Sequence, residues 1–148
     1  MSIEIIQLIT AFLGSLGFAL LFNLDKKCII PASVGGLICW GTYIVIDIFS
    51  TGVFLPSLVS AAIAALYAEI AARFLKVPAT VIFVSAIIPL IPGSSLFYTM
   101  SYAVSGDAAL FRSYGMDTVN FVLGITSGIS IVWSTWYMVQ KILRKEHL

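Results

Sequence analysis

The chain has 148 residues, 60% of them hydrophobic and 10% charged, with a formal net charge of +1. A soluble domain carries about 25% charged residues, and a nucleic-acid binder carries a basic patch or stripe, so this composition excludes both. A mean hydropathy of +1.06 in a chain of single-domain length points to one compact bundle, residues 1–148, inside a lipid bilayer.

The 15 Asp, Glu, Lys and Arg residues leave five long charge-free runs: 5–24, 28–46, 48–68, 77–106 and 118–140. A helix crossing the hydrocarbon core needs about 20 apolar residues, and a helix satisfies its own backbone in lipid. The runs therefore predict an all-α integral membrane protein of five transmembrane helices, at about 3–22, 29–48, 53–73, 78–104 and 118–141. The start, Met-Ser-Ile-Glu, has no Lys or Arg before the apolar stretch. A secretory leader begins positively charged, so 3–22 is expected to be a retained first helix.

The second helix opens with Gly35-Gly36; Cys28 and Cys39, in or beside the second run, lack metal-ligand spacing and read as small apolar filler. Asp47 closes it, as a boundary residue or a group on a release path. The third helix carries Ala61, Ala65, Ala68 and Ala72 on one row, and ends with Glu69 and Arg73 four residues apart. That order favours an ion pair. The pair is either an interfacial salt bridge, with Arg73 reaching the headgroups, or a titratable gate, since intramembrane carboxylates mark ion pathways.

The fourth run is 30 residues long, about 45 Å as one straight helix, against a core of about 30 Å. Its middle reads Ile88-Pro89-Leu90-Ile91-Pro92-Gly93-Ser94-Ser95. Each proline removes an N–H and clashes with the carbonyl four residues back. Gly93 is expected to allow positive φ and close approach. A break at Pro89-Pro92-Gly93 would leave unpaired backbone groups in mid-membrane, facing protein, water or a ligand. The half-helix from Ser94 would then aim its free N–H groups and positive dipole end at a carboxylate. The competing reading is a proline-kinked structural helix. A polar loop is expected at about 105–117, followed by the fifth helix. This last helix carries Gly124 and Gly128, a small-xxx-small pair. Trp133, Trp136 and Tyr137 would form an interfacial aromatic belt.

If the five helices alternate, Lys26, Lys27, Arg73, Lys76, Lys141, Arg144 and Lys145 share one side, and Arg112 is the single basic residue on the other. The positive-inside rule then places the N-terminus outside and the C-terminus in the cytoplasm. No catalytic set is apparent. His147 is the single histidine, and there are no closely paired carboxylates and no Gly-rich phosphate loop with lysine. Neither an enzyme nor a bound metal or cofactor is expected.

Two stretches carry a family resemblance. Residues 67–80, YAEIAARFLKVPAT, and residues 87–100, IIPLIPGSSLFYTM, are similar to the threonine/serine exporter (ThrE) family. The likeness is to its small YjjB-type subunit, equivalent to the C-terminal half of the full-length exporters. Chain length, five helices and the early Phe22-Asn23 match as well. The resemblance implies a membrane subunit of a two-component secondary exporter. Its cargo would be small hydrophilic metabolites, serine, threonine or a related small carboxylate, moved by the proton motive force across a prokaryotic inner membrane. It implies a second five-helix membrane subunit as partner, with small-residue faces of the third or fifth helix as the expected contact. Pro92, Gly93, Ser94, Ser95 and Tyr98 would contact substrate, and Glu69, Arg73 and Asp47 would couple or gate. A non-transporting membrane scaffold is the alternative.

Overall fold

The computed structural model describes residues 3–145. It is all-helical, with α1 Ile3–Leu21, α2 Lys26–Asp47, α3 Phe54–Leu75, α4 Ala79–Ile87, α5 Gly93–Ser105 and α6 Ala108–Lys145. A 3₁₀ turn, Ile88–Leu90, lies between α4 and α5. Among the described residues four helices are long and apolar enough to cross a membrane, and α4 with α5 makes a fifth span if the bent pair is counted as one. His147 lies outside the described residues.

The core is built from small side chains. α2 is the hub, touching α1, α3, α4 and the 3₁₀ turn, and its contact faces hold the buried Cys28, Ala32, Gly35, Gly36 and Cys39. Ala61, Ala65, Ala68 and Ala72 of α3 are all buried. A Cβ on Gly35 would come within 2.7 Å of the Ala86 Cβ, and one on Gly36 would run into the Ser15 hydroxyl. Lipid supplies no hydrophobic drive between helices, so close backbone approach and dispersion hold such a bundle together.

The glycine pair on the last helix has the same use. A Cβ on Gly128 would meet the Leu58 carbonyl and one on Gly124 the Ser57 hydroxyl and Phe54 carbonyl. The small-residue faces of the third and last helices thus pack against each other within the chain. Intrachain packing of the third helix on the last is one of the two uses such small-residue faces can have.

The last helix also begins earlier than the charge-free run. It starts at Ala108 and runs 38 residues, so the stretch expected as a polar loop at 105–117 is mostly helix. Gly106 adopts φ +78 as the C-cap of α5. The Asp107 carboxylate accepts the Leu110 amide at 3.1 Å and starts α6 at once. Charges at Arg112 and Asp117 interrupt hydropathy but not helix propensity, which is why the run underestimates the helix.

Contacts along α6 set its depth. Phe121 stacks on Tyr43 (5.4 Å between centroids), which stacks on Trp40 (5.0 Å). Further on, Trp133 meets Phe83 edge-on at 5.3 Å, and the Arg73 guanidinium lies 4.5 Å from the Trp136 ring. From 121 to 140 the helix rises about 28 Å, close to one hydrocarbon core. The preceding dozen residues leave the bundle and pair with α5.

Candidate functional site at the broken helix

The fourth span is interrupted where Pro89, Pro92 and Gly93 fall. α4 ends at Ile87, the 3₁₀ turn follows, and Ile91 is extended (φ −65, ψ 124) before α5 begins. The axes of the two halves differ by 52°. Pro89 packs near Gly36, close to the midpoint of the Lys26–Asp47 helix, so the break lies at mid-depth. Gly93 donates to Ile91 O at 2.7 Å and Leu96 to Pro92 O at 3.0 Å. The amides of Ser94 and Ser95, in the first turn of α5, have no backbone acceptor among the described residues.

The two sides of the break face different surroundings. Leu90 is fully buried, and the 3₁₀ turn touches α1, α2, α3 and α4. Pro89 closes a recess of about 200 Å³ with Gln7, Thr10 and Ala11 of α1 and Trp40 of α2. The Trp40 indole N–H is buried and has no acceptor among the described residues. The Thr10 hydroxyl donates to the Ile6 and Gln7 carbonyls at 2.9 Å, leaving oxygen lone pairs to accept. Gln7 and Trp40 were not singled out in the sequence. The available signals were an amide inside the first apolar run and a tryptophan well inside a span rather than at an end.

By contrast, α5 touches α6 alone and holds no buried residue. Pro92, Gly93, Ser94 and Ser95 sit together at its start, with Ser95 half-buried and Gly93 and Ser94 exposed. Gly93 is not in the left-handed region, and a Cβ there would meet nothing within 4 Å. The expected need for positive φ and close approach is therefore corrected: Gly93 opens α5 as an ordinary helical residue, and the prolines alone make the break. Tyr98 lies one turn away and joins Tyr102 and Tyr114 at centroid distances of 6.3 and 5.3 Å. Thr99 and Thr118 hydroxyls approach to 3.3 Å across the same seam.

The charged candidates do not meet at the break. Asp47 is exposed at the end of α2. Glu69 is half-buried and Arg73 exposed at the far end of α3. The expected Glu69–Arg73 ion pair is not made among the described residues. Arg73 instead lies over Trp136, and the Gln140 amide, turned oxygen-inward, accepts from Arg73 Nη2 at 3.0 Å and Trp136 Nε1 at 2.7 Å. A tryptophan face attracts a guanidinium and desolvates less of it than a buried carboxylate requires. Of the expected aromatic belt, Tyr137 is 70% exposed, but Trp133 packs into the core against Phe83.

Lys27 Nζ reaches Leu75 O at 3.4 Å, and Arg73 meets the end of α6. One end of the bundle thus gathers Lys26, Lys27, Arg73 and Lys76. Among the described residues no group of three His, Cys, Asp or Glu could hold a metal.

The arrangement is a mid-membrane helix break with free amides on one side and a small polar recess on the other. Neither the curated proteins nor the solved structures compared with this chain gave a match. A family model described as Threonine/Serine exporter, ThrE, matches residues 7–135. An all-α, multi-pass membrane chain matched over most of its length in this way belongs to the threonine/serine exporter family.

Proposed function

We propose that this chain is the membrane subunit of a two-component secondary exporter for serine, threonine or a related small carboxylate. The observation that carries the reading is the break. Ser94 and Ser95 present two unpaired amides at the positive end of a helix in mid-membrane, where lipid offers no acceptor. A carboxylate satisfies both donors and the dipole at once. The recess beside Pro89, lined by Gln7, Thr10 and Trp40, offers hydroxyl and amide groups to the remaining polar groups of a small amino acid.

The proton motive force drives export in this reading, and Glu69 is the coupling carboxylate because it is half-buried inside α3 and lacks an ion-pair partner among the described residues. The basic end of the bundle faces the cytoplasm of a prokaryotic inner membrane, by the positive-inside rule. A second five-helix subunit of the same family covers α5, whose exposed serines and free amides are poorly suited to lipid.

The test is efflux of labelled L-threonine from cells with and without this gene, repeated with the proton gradient collapsed. Gene-dependent efflux that stops on collapse is expected. Equal efflux with and without the gene would overturn the transport reading. Robust efflux from the chain alone, in a strain lacking any related subunit, would overturn the two-component reading.

A further inference from the structure

The bend in the fourth span leaves half of its place in the bundle unfilled. On the basic side of the break α4 packs directly on α2, and its Phe83 meets Trp133 of α6 at 5.3 Å, so a helix stands between α2 and α6. Beyond the break α5 turns away by 52° and touches α6 alone. The third helix flanks both α2 and α6, but among the described residues no Cα of α2 comes within 8 Å of one of α6.

Aromatic side chains span that gap. Tyr43 of α2 lies on Phe121 of α6, with ring centroids 5.4 Å apart and planes 20° from parallel. Trp40 continues the stack at 5.0 Å and 11°. Phe121 is buried and Tyr43 half-buried. Trp40 also lines the recess at Pro89, and Tyr43 lies nearer the Asp47 end of α2. Cys39, one turn from Tyr43 on the same face, is fully buried, with its thiol 3.8 Å from the Ser60 carbonyl of α3. On the far side of the stack, Asp47 follows Tyr43 by one turn and Asp117 precedes Phe121 by one turn, and both are exposed. The three rings thus separate a buried interior from a carboxylate-bearing end.

Rings and backbones seal in different ways. Close-packed helices such as α2 and α4 part only as whole elements, because a dense interior has no slack. A ring swings by rotating about χ1, a far faster and more local motion. We infer that the Trp40–Tyr43–Phe121 stack is the outer gate of the path past the break, opened by side-chain swing while α2, α3 and α4 keep their packing. The inference rests on the export reading for its role, and on the geometry of the stack for its location. Tyr43 and Phe121 keep water and ions from the break between turnovers, and neither binds substrate there.

The test has two parts. In a Cys28→Ser background Cys39 is the single thiol, and it lies behind the stack. An impermeant thiol reagent added to intact cells should leave it unmodified. Phe121→Ala and Tyr43→Ala should each raise its labelling rate at least tenfold, whereas Tyr43→Phe, which keeps the ring, should label like the parent. Melting in lipid discs reports which variants fold. Phe121→Leu, which fills the space without a flat ring, should label at least threefold faster and keeps the test alive if Phe121→Ala does not fold. Ile129→Ala, two turns further along α6 and packed on the core, controls for general loosening and should leave labelling unchanged. Unchanged labelling in every folded ring variant would overturn the inference. So would equal labelling in Phe121→Ala and Ile129→Ala.

The second part pins the gate shut. In a chain lacking both native cysteines, the double variant Tyr43→Cys, Phe121→Cys is joined by a short bifunctional thiosulfonate. Threonine efflux should fall at least tenfold relative to the same cells before treatment, and reductant should restore it, while each single variant should change less than twofold. Failure of wild-type efflux would sink the export reading but leave the labelling result standing. Undiminished efflux after complete cross-linking would sink the gate and leave the export reading standing.

Discussion

The two halves of the fourth span invite comparison. α4 and its 3₁₀ turn are wedged among α1, α2 and α3, with Ile82, Ala86 and Leu90 fully buried. α5, three residues later, buries nothing and touches one neighbour. The same span is thus scaffold on one side of its break and uncovered on the other. Packed membrane helices gain from close approach of small residues, and a helix with one neighbour has only that seam to hold it. Local stability follows local packing, so the mobile element of this protein is expected at α5, not in the bundle.

Four substitutions would break or sharpen that contrast. The largest effect is expected from Gly128→Leu. Its Cβ would meet the Leu58 carbonyl, backbone that cannot step aside, and overpacking of this kind costs about 3 kcal/mol. Little folded protein should be recovered by size-exclusion of detergent extracts; normal yield and melting would show that α3 and α6 are not packed as described. Gly93→Leu, in open space, should melt within about 0.5 kcal/mol of wild type yet lose export, because it crowds the free amides. Normal export from it would reduce the break to architecture. Trp40→Phe keeps a ring on Tyr43 but deletes the buried indole N–H, and should slow efflux several-fold with a stability change under about 1.5 kcal/mol. Unchanged efflux would leave the recess empty of function. The smallest effect belongs to Arg73→Lys, which loses the planar stack on Trp136 worth about 0.5–1 kcal/mol. Equal melting would show that stack to be incidental.

Much of the fold was legible because lipid enforces a simple rule. A charge-free run near 20 residues is a helix, so α1, α2 and α3 emerge within a few residues of their observed ends. Pro89 and Pro92 broke the fourth span where elementary backbone chemistry says they must. What escaped was anything that depends on a neighbour. Gly93 looked like the hinge because of its type, but only its surroundings reveal that a side chain would fit. Gly124 and Gly128 were visible as a close-approach pair, whereas their partner, α3 of the same chain, was not. Helical spacing points Arg73 to Glu69, whereas the aromatic face that takes it comes from 63 residues further along. The early start of α6 was hidden because Arg112 and Asp117 end a hydropathy run without ending a helix. Gln7 and Trp40 become site residues only once α1 and α2 are placed beside Pro89.

The two-residue link between α5 and α6, Gly106-Asp107, has a consequence in time. A chain enters its membrane from the N-terminus, and α5 has no contact with any helix made before it. Its tyrosines and Thr99 find their seam only in α6, which is still to be synthesised. At about 5–20 residues per second, the stretch from Ala108 to Thr118 that completes this seam takes roughly 0.5–2 s to make. During that interval the span beyond Pro92 waits in the bilayer with its hydroxyls and amides uncovered. The short turn brings Tyr114 and Thr118 back to Tyr98 and Thr99 within the first few turns of α6, well before Gly124 and Gly128 can lock the helix to α3. The expected order of assembly is hairpin first and bundle closure second, and a longer insertion at Gly106 would delay the first step.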